Sequence, residues 1–440
     1  MEKQAAALPI ISASRIKTSQ VGKRLPLCYT ARMDTEIIIA GGGLVGNALA
    51  IALAQGGLRV TVIDPLPREQ QVAAGFDGRT SAISSGSVRI LTRLGVWQHI
   101  APEAQPIHDI RVCDQDKPGF VHYSDKDVGE PFGYIIENHL IRRALYLSLE
   151  REAGIRVVAG KVMGFATDAA SAAATLESGE SITAPLLIAA DGRFSKLREQ
   201  AGIPSRVIGY GQTAIVCVVE HEHAHDGLAL EKFYPAGPFA MLPLVPKNGV
   251  NRSGIVWTES DADAPQFVAL PDAEFDAELQ RRVGENADNY WGKVKSVGKR
   301  FSYPLKLMHA EKFTAHRFAL VGDAAHGIHP IAGQGVNLGY RDVAVLAELL
   351  IDQRKLGLDL GAESLLAHYQ RWRRFDSFSM TASTDLLNRL FSNRVPGLSL
   401  IRRAGMVAVN NLPPLKQYFM RHAMGLVGDL PRMMRDDRAA

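Results

Sequence analysis

The stretch from Thr35 to Asp64, TEIIIAGGGLVGNALAIALAQGGLRVTVID, constrains the fold more than any other part of the chain. Glu36 to Ala40 is a short apolar, β-branched run of the kind that forms a strand buried on both faces. Leu44 to Gln55 follows with helical periodicity, Gly56-Gly57 ends it, and Arg59 to Ile63 reads as a second strand. The first turn of this βαβ unit carries Gly41-x-Gly43-x-x-Gly46. Gly41 permits the tight turn, Gly43 lets backbone approach a pyrophosphate, and Gly46 allows the helix to pack closely on the strand. Asp64 lies eighteen residues beyond Gly46, where a carboxylate accepts hydrogen bonds from ribose hydroxyls. An acid there favours an unphosphorylated adenosine ribose, in FAD or NAD, over NADP.

The remainder of the chain bounds what surrounds this unit. Of its 440 residues 46% are hydrophobic and 22% charged, which suits a globular protein of two or three domains. The net charge of +4 is too small to argue for a nucleic-acid partner. Cys28, Cys113 and Cys217 are widely spaced and form neither a metal nor a redox motif, as expected of a reducing compartment. No apolar run is long enough to cross a bilayer. Residues 1–33 hold Lys3, Arg15, Lys17, Lys23, Arg24 and Arg32 against the single acid Glu2. They read as a disordered or non-native leader, with a mitochondrial transit segment as the alternative.

FAD is preferred to NAD because the chain does not complete a doubly wound half-domain after Asp64. Instead a loop bearing Arg79, expected either along a pyrophosphate or simply solvated, leads to a helix from about Ser84 to Leu94. Two later segments repeat the strand-to-turn theme: Leu186 to Ala190 ends on Asp191-Gly192, and Phe318 to Val321 ends on Gly322-Asp323. If the three strands share a parallel sheet, their C-terminal ends form one ligand crevice. No second GxGxxG follows a strand, which disfavours a reductase with its own pyridine-nucleotide domain. The expected fold is α/β, with an FAD-binding Rossmann-like domain, an inserted mostly antiparallel β-sheet substrate domain and a C-terminal helical tail. The FAD domain is assigned 34–105, 133–204 and 313–393, the substrate domain the strands at 106–132 and the sheet at 205–312, and the basic amphipathic tail 394–440.

The GxGxxG, the ADG at 190–192 and GDAAH…P at 322–330 together resemble the class A flavoprotein aromatic hydroxylases. Within that group HPIAGQGVNLGYRD (His329 to Asp342), GYIIENHLIRRAL (Gly133 to Leu145) and NNLPPLKQYFMRHAMGL (Asn410 to Leu426) are similar to the ubiquinone-biosynthesis hydroxylases of the UbiH branch. His139 departs from the Arg that many relatives carry beside the flavin, and it is given no cofactor role. The resemblance implies that Asp323 accepts hydrogen bonds from the ribityl chain. It also implies that Pro330, Gly333, Gln334, Gly335 and Asn337 surround the flavin ring, Pro330 as a rigid apolar wall and the glycines as backbone donors. A helix from about Val336 would then direct its positive end at the flavin N1–C2=O region. The implied reaction is hydroxylation of a polyprenyl phenol. FAD is reduced by NAD(P)H or another donor, O2 adds at flavin C4a, and the hydroperoxide passes its distal oxygen to the ring.

Other features admit plainer readings. His326 and His329 are expected to be structural. HEHAH (His221 to His225) would place three His on one strand face, and a solvated strand end is preferred there to a metal site. Phe233, Tyr234, Phe239, Met241 and Leu242 are potential pocket liners or ordinary sheet core. From Arg394 onward there are eight Lys or Arg, three Asp and five of the eleven Met. This tail either rests on a membrane surface or a partner in a biosynthetic complex, or packs on the body. The expected location is the cytoplasm, peripheral on the inner membrane, or the mitochondrial matrix side if 1–33 is a transit segment. A hydroxylase of a small soluble aromatic, and a mainly structural flavin-binding subunit, are the alternative functions.

Overall fold

The computed structural model describes residues 35–73, 75–115, 120–284, 290–328, 333–391 and 409–435. The leader 1–33, His329, Pro330 and the start of the expected tail, up to residue 408, lie outside them.

Six strands form the first sheet, in the order Thr314–Ala315, Phe318–Leu320, Leu186–Ala189, Ile37–Ala40, Val60–Asp64 and Ile155–Ala159. All neighbours are parallel except the edge pair of Thr314–Ala315 and Phe318–Leu320. Ile37, Ile38 and Ile39 have no exposed surface, because helices cover both faces of a parallel sheet. The three strand ends expected to share a crevice are therefore adjacent. The helix Leu44–Gln55 is buried from Gly46 to Leu53 and packs against the helices Asn138–Leu149 and Gly335–Lys355. Its stop comes from Gly57, at φ +85°, with Leu58 N–H donating to Leu53 O at 3.0 Å.

The second sheet has eight strands: His326–Gly327, Val294–Ala310, Ser205–His221, Val250–Ser260, Gly237–Lys247, Leu228–Tyr234, Asp109–Cys113 and Phe120–Ser124. Only the Leu228–Tyr234/Asp109–Cys113 pair is parallel. One face is covered by the helices Ala264–Ala269 and Asp272–Val283, with Trp257, Phe275 and Leu279 fully buried between them. Burying a side chain such as Phe275 contributes roughly 2 kcal/mol. The other face turns toward the FAD-type half, where Ala229, Val218 and Leu244 meet Ile107, Phe132 and Ile135. A three-stranded sheet of Thr80–Ser84, Gly133–Glu137 and Gln105–Pro106 completes that junction.

One expectation is corrected here. The HEHAH segment is not a three-His strand face, because the strand ends at His221. Nor is it a solvated strand end. His221 and His225 are buried; His221 is paired with Ser253 Oγ at 3.0 Å and the His223 carbonyl at 2.7 Å, and His225 with the Leu244 carbonyl at 2.9 Å. In the tail, helical residues 409–411 end at a break at Leu412, and Pro413-Pro414 opens the next helix, Pro413–Ala423, as suits the fixed φ of Pro in a first helical turn. The described tail packs on the body. Met420 and Met424 enter the apolar junction, Met434 is fully buried, and Gly86 N–H donates to Met424 O at 3.0 Å.

Candidate functional site

At the end of Ile37–Ala40 the backbone turns through Gly41, whose φ is +109° and where a Cβ would stand 2.3 Å from the Ala190 carbonyl oxygen. Gly46 has less room still: a Cβ there would lie 1.9 Å from Gly41 O. Gly43 is the opposite case, since a Cβ on it would meet no protein atom within 4 Å. The turn is therefore closed on its protein side and open on its crevice side. Asp64 Oδ2 accepts from Gly42 N–H at 2.6 Å, while its Oδ1 accepts from Leu66 N–H at 2.8 Å and Gln71 Nε2 at 2.9 Å. Asn47, in the first turn of the fingerprint helix, has a buried Nδ2 with no partner.

The opposite wall of the crevice is the Gly322-Asp323 turn. Asp323 keeps half its side-chain surface exposed, with Arg193 Nη2 at 3.9 Å. What holds the turn lies beneath it. Asp342, with no exposed side-chain surface, accepts from Gly322 N–H at 2.8 Å, His326 Nε2 at 2.7 Å and Arg373 Nε at 2.7 Å. Burial pushes the Asp342 carboxyl up, but His326 and Arg373 pull it below the ordinary carboxylate range. Arg198, also buried, donates to Ala324 O at 3.0 Å and Arg193 O at 3.2 Å, tying the turn to the segment after Asp191-Gly192. Gly192 has φ +86°, and Ser195 caps the short helix Lys196–Gln200 by accepting from Arg198 N–H. Asp342, Arg373 and Arg198 were missed by sequence reasoning; His326 is structural, as expected.

Arg79 pairs with Asp77, 2.5 Å away, and is half exposed. Burial lowers its affinity for the proton, but Asp77, Tyr303 and Asp323 more than offset this. The structure thus places it on the Asp323 side of the crevice, with its guanidinium engaged by Asp77. Gly333, at φ +63°, lies against Ala82, where a Cβ would stand 2.8 Å from the Ala82 Cβ. A Cβ at Gly335 would meet nothing within 4 Å, and the helix Gly335–Lys355 starts with no side-chain cap from Gln334. Asn337 holds the neighbouring strand. Its Nδ2 donates to Ala82 O at 2.8 Å and its Oδ1 accepts from Ser84 N–H at 3.0 Å, so both ends of the amide clamp the strand Thr80–Ser84. Gln334 Nε2 donates to Ala423 O at 3.1 Å, fastening the loop to the tail helix.

Beside this loop lies a cavity of 140 Å3, walled by Ala229, Glu231, Ala240, Leu242, Val256 and Ala423 among others. That volume holds about one benzene-sized ring. Of the five liners expected from sequence only Leu242 faces it. Tyr234, Phe239 and Met241 belong to the core on the other face, and Phe233 is buried off the lining. The reason is strand alternation: Pro238, Ala240 and Leu242 point to the cavity, so Phe239 and Met241 must point away. His139 sits beside the site with Glu137 at 3.6 Å from its Nδ1, and burial holds its pKa below the ordinary value.

FAD fits these residues. Gly43 and Gly335 leave backbone open to a pyrophosphate and to a ring edge, Asn47 Nδ2 lacks an acceptor, and Asp64 and Asp323 stand on opposite walls as acceptors for hydroxyls. A ring-sized cavity beside a flavin-type dinucleotide crevice is the plan of the flavoprotein monooxygenases, and fold and site assign the chain to that class.

Comparison with known proteins agrees. Residues 34–380 match the FAD binding domain family. The chain is 49% identical over 414 residues to the ubiquinone hydroxylase UbiL of Rhodospirillum rubrum, covering 93% of this chain and 95% of UbiL. It is 36% identical to the 3-demethoxyubiquinol 3-hydroxylase of Escherichia coli, covering 89% and 99% respectively. The p-nitrophenol 4-monooxygenase PnpA of Pseudomonas putida shares the fold, with a TM-score of 0.72 at 19% identity over 90% of this chain and 98% of that one. The chain belongs to the family of FAD-dependent monooxygenases that includes these ubiquinone hydroxylases.

The exposed Asp323 carboxylate gives a direct test of the crevice. Asp323→Ala removes a charge-assisted acceptor, and FAD is expected to bind about tenfold more weakly, by titration of the apoprotein. Unchanged affinity would remove Asp323 from the site.

Proposed function

We propose that the chain hydroxylates the aromatic ring of a polyprenyl phenol on the route to ubiquinone, consuming O2 and electrons from NAD(P)H or another donor. The observation that carries this is the 140 Å3 apolar cavity at the Gly333–Gln334 loop. It accepts a ring and has no room for a long chain. On the tail helix Ala423 lines this cavity and its neighbour Met424 lines a cleft of 870 Å3, whose walls mix apolar Val128, Leu426 and Leu430 with charged Arg89, Asp127, Glu130, Arg421 and Arg435.

FAD, when bound, supplies the redox chemistry and delivers the oxygen atom. The chain's own residues hold and shield. The Asn337 clamp on Ala82 and Ser84 fixes the loop against the pocket wall, so backbone N–H groups at Gly335 are set before reaction rather than reorganised during it. Ile107, Phe132, Leu242 and Val256 give the ring apolar walls. The test uses FAD-loaded protein, a short-chain prenylphenol, NADH or NADPH and 18O-labelled O2. One labelled oxygen in the product is expected. Turnover of simple soluble phenols with none of the prenylphenol would overturn the proposal.

A polyprenyl substrate resides in lipid, and the tail exposes Leu412, Tyr418 and Phe419, so we extend the proposal to peripheral membrane contact. Among the described residues no helix is long and apolar enough to cross a membrane. The protein is expected to float with anionic vesicles, and replacement of these three side chains by Ser to abolish flotation. Flotation unaltered in that variant would place the contact elsewhere.

A further inference from the structure

The strand Leu228–Tyr234 sends alternate side chains to its two faces. Leu228, Leu230 and Tyr234 enter the core beneath Asp272–Val283, while Ala229 and Glu231 face the ring-sized cavity. Glu231 is the one ionisable side chain among the described residues lining that cavity. No described residue hydrogen-bonds or ion-pairs with its carboxyl. An acid in apolar surroundings without a partner is costly, and neither sheet pairing nor core packing requires one here. Its backbone partner across the sheet is Ala240, which leaves space in front of the carboxyl rather than filling it.

The neighbouring elements supply no competing charge. Asp109, Arg111 and His122 lie on the opposite face of their strands, as does Lys232. Tyr123 shares the cavity side, but burial pushes its hydroxyl up to about 12. On the tail helix, burial lowers the pKa of His422, which is influenced by Asp376 and Arg341. Glu137, on the strand Gly133–Glu137, is held by Arg252 and Lys247. Burial pushes Glu231 itself up to about 7, so both of its forms are populated near neutral pH, as an acid–base group requires.

We propose that Glu231 is the acid–base residue for the phenol, taking the hydroxyl proton of the ring bound in the cavity. The inference rests on the hydroxylase reading above. The phenolic O–H bond breaks and the proton passes to a Glu231 carboxylate oxygen. The electron pair left on the phenol oxygen enters the ring as the ortho or para carbon forms its bond to the hydroxyl oxygen derived from O2, whose O–O bond breaks with its electron pair staying on the other oxygen, giving a dienone. That carbon then loses its hydrogen to water as a proton, the ring regains aromaticity, and Glu231 returns its proton to the original oxygen.

The experiment compares wild type with Glu231→Gln, both FAD-loaded. The first readout is binding of a nitrophenol carrying a short prenyl chain at pH 7, with the corresponding nitroanisole as the control that has no proton to give. The wild type is expected to show the phenolate band and the Gln variant the neutral band, with nitroanisole affinity equal in the two. The second is single-turnover hydroxylation of the prenylphenol. It is expected to fall about 100-fold or more in the variant at equal flavin content and equal flavin reduction rate. The rising limb of the wild-type pH profile near 7 should vanish with it. Glu231→Asp, which keeps the acid, is expected to retain the phenolate band with slower turnover. If wild type hydroxylates the prenylphenol and Glu231→Gln matches it at every pH with the same band, the inference is overturned. If wild type hydroxylates no prenylphenol, the hydroxylase reading fails, and the phenolate band still decides whether Glu231 ionises a bound phenol.

Discussion

Gly46→Ala is expected to abolish FAD retention and to destabilise the protein by about 3 kcal/mol, the upper range for forcing atoms into packed structure. The added Cβ would meet the Gly41 carbonyl at 1.9 Å, and both sides of that contact are backbone, which cannot turn aside as a flexible side chain would. Gly43→Ala provides the contrast. A Cβ there meets no protein atom, so the apoprotein should unfold as wild type does while FAD affinity drops. Thermal unfolding of the two apoproteins, with flavin absorbance on reconstitution, separates them. Equal unfolding of Gly46→Ala and wild type would mean that helix Leu44–Gln55 can shift, and the close-packing argument would be wrong.

Asp342→Ala is expected to cost about 3–5 kcal/mol, because it leaves Arg373 and His326 buried without their acceptor. The loss extends to Gly322 N–H, so the Gly322-Asp323 turn should loosen and flavin should be shed before the protein unfolds. Urea unfolding followed by flavin fluorescence and by tryptophan fluorescence reports the two events. A variant within about 0.5 kcal/mol of wild type would show the buried cluster to be replaceable. Because His326 and Arg373 hold the Asp342 carboxyl below its ordinary value, its contribution is complete above about pH 4 and is lost as pH falls through the folded-state value. Asp342→Asn should flatten that acid limb.

The fingerprint unit was legible because its signals are local: apolar strand, glycine turn, helix and acid follow one another within thirty residues. The convergence of Ala190-Asp191 and Gly322-Asp323 on it was legible from repeated strand-end chemistry. Asp342 was not, although it stood in the quoted run ending in GYRD, since its partner Arg373 is 31 residues away and only packing brings them together. The hold of Asn337 on its neighbouring strand was hidden for the same reason: its amide partner Ala82 lies 255 positions earlier. The pocket was misread through attention to large side chains. A ring needs space, and the strands provide it with Ala229, Pro238 and Ala240 while turning Phe239 and Met241 outward. The lone acid in LALEKFY, two positions from Ala229 on its own face, was the available signal.

The parallel sheet draws its central strands from residues 37–40, 60–64, 186–189 and 318–320. During synthesis the fingerprint turn therefore leaves the ribosome long before its second wall exists. Pairings so distant in sequence close slowly, because chain entropy is spent before contacts repay it. Until Leu320 emerges, the apolar edge of Leu186–Ala189 stays unpaired, open to collapse or to chaperones. Flavin capture is thus a late event in the life of the nascent chain, and a shortage of FAD would be felt as poor maturation before it was felt as low activity.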